Sequence, residues 1–118
     1  SGGNHIIPTG SPRDVFLFVR EEKVDEFLKS INENPEMRSR MQALRTKDAV
    51  EAGLFGLNKP SENFLNRVGN VLLLPLGHNV IWSRSHRKKR SNVAGTHGGL
   101  SREEMFIPFG CARLSDML

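Results

Sequence analysis

The chain has 118 residues, of which 37% are hydrophobic and 25% charged, and a formal net charge of +4. This length is enough for one domain with a modest core, and the composition is typical of a soluble globular protein. No apolar run approaches the ~18 residues of a membrane span. The single cysteine, Cys111, excludes an internal disulfide framework and favours a reducing, cytoplasmic location. Its apolar surroundings predict a buried thiol.

The first half of the chain predicts two strands and a helix. After a turn-rich lead-in at Asn4–Arg13, the apolar run Asp14–Val19 is typical of a strand buried on both faces. A helix packed on a sheet should follow and end before Pro35, because a residue preceding proline avoids helical angles. A second strand is expected at Met41–Leu44. The apolar stripe of the helix has the spacing i, i+3, i+4, i+7 and consists of Val24, Phe27, Leu28 and Ile31.

The middle of the chain predicts two short helices and a central strand. Thr46 is the expected N-cap of a helix over Lys47–Ala52, with Gly53 closing it. A second helix is expected at Ser61–Val68. Val71–Leu74 is the most apolar run and should form the central strand.

The last third predicts a hairpin partner, a loop and a final strand. Val80–Trp82 should pair as a strand, and Ser83–Gly95 should be a flexible basic loop because it has many charges and almost no apolar anchor. A buried strand is expected around Met105–Phe109, with Leu114 and Met117 packing the tail down. Residues 1–118 therefore predict one small mixed α/β domain of four to five strands.

The chain is organised around the stretch from Gly95 to Pro108. His97 stands among glycines, which allow unusual backbone angles and close approach of other groups. Ser101 and Glu104 have the S-x-x-E spacing of a capping box, so a helical turn should begin there. The stretch predicts an exposed histidine, a helical turn and a buried strand.

This stretch resembles the C-terminal signature T-H-G-G-L-S-x-E-E-M-x-x-P of the alkaline phosphatase superfamily. The closest branch is that of type I phosphodiesterase/nucleotide pyrophosphatase proteins, with the PglZ-type proteins second. Weaker similarity occurs at Pro8–Val19, Ala49–Gly56 and Val68–Pro75. The resemblance implies a larger alkaline phosphatase-like α/β fold, a site with two divalent metal ions, usually zinc, and His97 as the last metal ligand.

The remainder of such a site is absent from the sequence. None of the four aspartates precedes a histidine, and no hydroxyl residue stands in a recognisable nucleophile context. In the resembled family these groups lie upstream, and Ser1-Gly2-Gly3 has no initiator methionine. We therefore expect a C-terminal piece of a longer phosphoester hydrolase that is completed by the upstream region and inactive alone.

Five basic residues offer the other candidate site. The run Arg84–Arg90 holds five of the 17 basic residues, so the rest of the chain has 12 basic against 13 acidic residues. Its charges suit a solvated loop, a loop that attracts anionic substrate, or a nucleic-acid or anion-binding module, although no aromatic residues interleave for base stacking. Arg13 is a candidate for holding phosphate or for pairing with a carboxylate. The candidate phosphate-binding residues are Arg13, Arg87, Lys88, Lys89 and Arg90.

Overall fold

The computed structural model describes residues 7–82 and 94–117. They form a small mixed α+β domain with helices packed on a four-stranded antiparallel sheet, which confirms the predicted class at this level. The strands are β1 Thr9–Ser11, β2 Asp14–Leu17, β3 Met41–Arg45 and β4 Val71–Pro75. The helices are α1 Val24–Asn32, α2 Pro35–Arg40, α3 Thr46–Glu51, α4 Glu62–Arg67 and α5 Arg102–Met105, with 3₁₀ turns at Glu21–Lys23 and Leu114–Met117.

The sheet order is β1-β2-β4-β3, and every neighbouring pair is antiparallel. All five residues of β4 are buried, so the run predicted to be the central strand lies between β2 and β3. None of the helices in the described part of the chain is long and apolar enough to cross a membrane.

Both faces of the sheet are covered, because alternate residues of a strand point to opposite sides. On one face Val15 of β2 packs in a cluster with Val24 of α1. On the other face Phe16 packs with Ala49 of α3, and its ring centroid lies 5.9 Å from that of Phe55. The predicted burial on both faces is confirmed for β2, but the strand ends at Leu17, two residues before the predicted end at Val19, and Phe18 is 45% exposed.

Two asparagine side chains bond to backbone segments in the way that a neighbouring strand would. Asn32 Nδ2 donates to the carbonyl oxygen of Ala43 at 2.9 Å, and the Ala43 N–H donates to Asn32 Oδ1 at 2.9 Å. Ala43 belongs to β3, an edge strand, so Asn32 occupies polar groups that would otherwise be open to another strand. Asn70 forms the same pair of bonds with Val19, at 2.6 and 2.8 Å.

The helix ends explain one correct boundary and one missed helix. α1 ends before Pro35 as predicted, but Pro35 is also the first residue of α2. The Asn34 side chain caps α2 by accepting from the amides of Glu36 and Met37. Ser61 likewise caps α4, since its hydroxyl accepts from the backbone N–H of Phe64.

One prediction about the middle of the chain needs correction, and one strand near the start of the chain was missed. Thr46 is not the N-cap of α3: Arg45 has that position, Thr46 is the first helical residue, and its buried hydroxyl has no hydrogen-bond partner among the described residues. Gly53 does close the helix, at φ +80°. The short strand β1 was missed because proline and glycine mark its sequence as a turn.

The last third was predicted less well. Val80–Trp82 does not form a strand. The Ile81 N–H donates to the Pro12 carbonyl in the turn between β1 and β2, and the Ile81 side chain packs against the core cluster that contains Val15. The predicted buried strand at Met105–Phe109 is wrong, because this stretch is exposed and only Met105 belongs to a helix. Three other tail residues predicted to be buried are also exposed: Cys111, Leu114 and Met117. Most of the predicted mobile loop, residues 83–93, lies outside the described residues.

Candidate functional site around His97

The turn between β1 and β2 carries the first part of the site. Ser11 pairs with Asp14, which leaves Pro12 and Arg13 as a two-residue turn. The Ser11 N–H donates to Asp14 Oδ1 at 3.1 Å, and the Arg13 N–H donates to Ser11 Oγ at 3.2 Å. Arg13 is only 4% exposed, although arginine in a turn is normally solvated. Its side chain is therefore covered by another part of the chain.

The cover comes from the residues around α5. Ser101 is the N-cap of α5, and the Glu104 carboxylate reaches back to accept the Ser101 N–H at 3.2 Å. The same carboxylate accepts the Gly99 N–H at 3.0 Å. The predicted helical turn at Ser101–Glu104 is confirmed, and Glu104 fixes the loop before the helix as well as the helix itself.

Arg13 and Glu104, 91 residues apart, form a bidentate ion pair. Arg13 Nε donates to Oε1 at 2.9 Å and Nη2 donates to Oε2 at 2.6 Å, while Nη1 donates to the Asn79 carbonyl at 2.5 Å. The two side chains are 5% and 14% exposed. With the two backbone amides, four N–H groups surround one carboxylate, which fills its acceptor positions.

The electrostatic consequence is a strongly acidic carboxyl group. The hydrogen bonds from Arg13, helped by the N–H groups of Gly99 and Ser101, hold the pKa of Glu104 well below its usual range despite its partial burial. The same hydrogen bond to Glu104 raises the pKa of Arg13. Both groups are therefore charged in the folded domain at neutral pH.

The two glycines after His97 are required by this packing. Gly98 has φ +100°, a conformation that side chains disfavour, and a Cβ there would lie 3.1 Å from Ser11 Oγ. A Cβ on Gly99 would lie 2.5 Å from Glu104 Oε2 and 2.8 Å from Arg13 Nη2. The glycines thus let the loop backbone lie directly against the hairpin and the ion pair.

His97 is exposed, and its contact with the hairpin is through the backbone. Its carbonyl oxygen is 3.4 Å from Ser11 Oγ. Within residues 7–82 and 94–117, its imidazole makes no hydrogen bond, and no group of three or more His, Cys, Asp or Glu side chains could hold a metal ion. Among these residues the arrangement presents one imidazole from a fixed loop and does not form a complete metal site.

The other candidate residues divide between the described and undescribed parts. For Arg13, the structure shows the carboxylate pairing that was one of its two alternatives. Phosphate binding by Arg13 stays a prediction that would require the buried pair to open. Four candidate residues lie outside the described residues: Arg87, Lys88, Lys89 and Arg90.

Sequence reasoning missed the structural centre of the site. Glu104 was recognised as a capping residue but not as the partner of Arg13, because nothing in local spacing links residues 91 apart. One usable signal was the Gly98-Gly99 pair directly before the capping box, since paired glycines indicate close approach of another group. No family model matches the chain, and comparisons with curated proteins and with solved structures gave no significant match.

Proposed function

We propose that the chain is the C-terminal part of a metal-dependent phosphodiesterase or nucleotide pyrophosphatase of the alkaline phosphatase superfamily. In this proposal His97 is a ligand to one of two divalent metal ions, zinc being the expected metal. The upstream region of the same polypeptide supplies the hydroxyl nucleophile and the remaining ligands. The substrate is a phosphoester or phosphoanhydride.

The observation that carries the proposal is that Gly98, Gly99 and Glu104 have structural roles in the histidine motif, whereas the His97 side chain has none among the described residues. Gly98 and Gly99 are explained by space and backbone angle, and Glu104 by its bonds to Arg13 and to the loop amides. The imidazole of His97 has no comparable task among the described residues, yet its loop is fixed. A side chain held at the surface without a structural role is suited to bind something outside this domain.

The exposed apolar segment that follows the motif supports a larger protein. Phe106, Ile107 and Phe109 are 74, 79 and 88% exposed. Contiguous exposed apolar side chains mark interaction surfaces. This segment follows α5 directly and belongs to the same motif as His97. We propose that the region covering it is the upstream catalytic part of the polypeptide.

The donor set fits a contribution to a metal site and does not fit a complete one. A neutral imidazole is a usual zinc ligand, but zinc sites need at least three protein ligands. The Glu104 carboxylate is already filled by four N–H groups. The chain's own task is therefore to hold one imidazole in place. When bound, a metal pair would stabilise the attacking and leaving oxygens at phosphorus.

The test compares His97→Ala with His78→Ala in the full-length protein that contains this chain. His78 is also exposed but has no place in the motif, which makes it a matched control. Loss of outer-shell partners alone costs roughly 10–100-fold in metal affinity or activity, so loss of the ligand should cost at least about 100-fold. Metal content by mass spectrometry, hydrolysis of bis-p-nitrophenyl phosphate and melting temperature are measured together.

Three results would contradict the proposal. Full metal content and rate in His97→Ala would show that His97 is not a ligand. Simple unfolding of that variant would show that the histidine is structural. Zinc- or manganese-dependent hydrolysis by the 118-residue chain, above its own His97→Ala control, would show that no upstream region is needed.

The rival is a nucleic-acid or anion-binding module built on Arg84–Arg90, a run that lies entirely outside the described residues. Salt-dependent binding of duplex DNA or RNA by the chain, lost when the run is replaced by serines, would favour that module.

A further inference from the structure

The loop that carries His97 is fixed on both sides of the histidine by groups distant in sequence. On the hairpin side, Ser11 Oγ lies 3.4 Å from the His97 carbonyl oxygen. On the helix side, the Gly99 N–H donates to Glu104 at 3.0 Å, and Glu104 in turn accepts from Nε and Nη2 of Arg13. The imidazole therefore projects from a backbone whose position depends on these contacts.

From this geometry we infer that Arg13 and Glu104 are positioning residues for His97, and that their ion pair sets where the imidazole stands. We call this pair the Arg13–Glu104 latch. The inference rests on the proposed function, since it assigns the latch a purpose only if His97 is a ligand.

The latch is well placed for this task because it joins three separate segments. Arg13 comes from the β1–β2 turn, Asn79 from the segment after β4, and Glu104 from α5. Nη1 of the Arg13 guanidinium group donates to the Asn79 carbonyl, while Nε and Nη2 donate to the Glu104 carboxylate. A planar guanidinium with fixed donor directions sets the orientation of its partners as well as their distance.

A glycine-rich loop needs such a constraint. Gly95, Gly98 and Gly99 flank His97, and glycine loses more conformational freedom on ordering than other residues. A catalytic or metal ligand must be held within about 0.5 Å of its productive position. Local hydrophobic packing cannot supply this constraint, because His97 and its neighbours from Ala94 to Gly98 are exposed.

The first experiment measures how well the His97 loop is ordered, in the absence of metal. Glu104→Gln keeps the size of the side chain but removes its charge and turns an amide donor toward the arginine. Glu103→Gln is the matched control, because it removes the same charge from the neighbouring, exposed residue of α5. Amide hydrogen exchange of Gly99 and Ser101 in the 118-residue chain should become roughly tenfold faster in Glu104→Gln and stay unchanged in Glu103→Gln.

The second experiment measures metal affinity in the full-length protein by competition with a chromophoric zinc chelator. Glu104→Gln should weaken zinc binding roughly 10–100-fold, as loss of an outer-shell partner does, while Glu103→Gln leaves it unchanged. His97→Ala should weaken binding further. Glu104→Gln in a His97→Ala background should add little, since the latch acts through that histidine.

The outcomes separate this inference from the proposed function. If His97→Ala loses zinc while Glu104→Gln neither loosens the loop nor weakens zinc binding, the latch is overturned and the proposed function stands. If Glu104→Gln loosens the loop but His97→Ala keeps its zinc affinity, the proposed function fails and the positioning role fails with it. If Glu104→Gln weakens zinc binding equally with and without His97, Glu104 acts by another route and the inference is overturned.

Discussion

Gly69, at the entrance to β4, provides a strong test of the fold. It is buried, and a Cβ built on it would overlap the carbonyl carbon and oxygen of Leu17 and lie 3.0 Å from the Phe18 nitrogen. The obstacle is the backbone at the end of β2 and cannot rotate away as a side chain would. In Gly69→Ala, β2 must move relative to β4, which disturbs core residues on both sheet faces.

We expect Gly69→Ala to lower the free energy of unfolding by about 3 kcal/mol, the upper part of the usual range for overpacking, because backbone must shift. Gly110→Ala is the matched control, since a Cβ there meets nothing within 4 Å and its φ is not positive. That substitution should stay within about 0.5 kcal/mol of the wild type.

Urea unfolding followed by far-ultraviolet circular dichroism gives both free energies, provided that the transitions are two-state. A Gly69→Ala chain within about 0.5 kcal/mol of the wild type would refute the close approach of β2 to the start of β4. Equal losses in the two variants would show that the loss does not come from the overlap with Leu17, because at an unobstructed position alanine restricts the unfolded chain and should not destabilise the fold.

Two further predictions concern polar contacts. Asn32→Leu should lower the free energy of unfolding by about 2 kcal/mol and speed amide hydrogen exchange at Ala43. The reason is that Ala43 is only 1% exposed and both of its backbone groups would lose their Asn32 partners. Unchanged exchange would contradict the role of Asn32. Since the folded pKa of Glu104 is depressed, its contribution to stability is present above the unfolded value of about 4.3 and is lost as pH falls further. The unfolding free-energy difference between wild type and Glu104→Gln should therefore shrink between about pH 5 and pH 2, and a constant difference would be inconsistent with the ion pair.

The elements that were predicted well from the sequence are those whose burial and boundaries both depend on neighbouring residues in the chain. Val71–Leu74 has no polar interruption, so its central position followed from its composition. α1 showed its stripe and its end before Pro35, but the same proline also begins α2, and only the Asn34 cap distinguishes an end from a junction.

The errors in the last third of the chain share one physical cause. The apolar runs at Val80–Trp82 and Met105–Phe109 indicate surfaces that favour removal from water, but they do not specify a partner strand. In the described structure the second run is exposed, so an apolar pattern cannot tell a strand of this sheet from a surface that binds elsewhere. The pairing of Arg13 with Glu104 was equally invisible, because ion pairs between distant segments have no sequence period.

The Arg13–Glu104 latch joins two of the stretches on which the proposed relation to the alkaline phosphatase superfamily is based. The similarity at Pro8–Val19 includes Ser11, Arg13 and Asp14, and the histidine motif includes Gly99 and Glu104. These stretches are in contact with each other, so a substitution in either one would disturb the position of the other. Their contacts therefore serve one structural requirement, that of fixing the loop. The latch explains the position of the loop but not the His97 side chain. His97→Ala removes the imidazole and leaves the latch intact, so it tests the proposed ligand role separately from the positioning role.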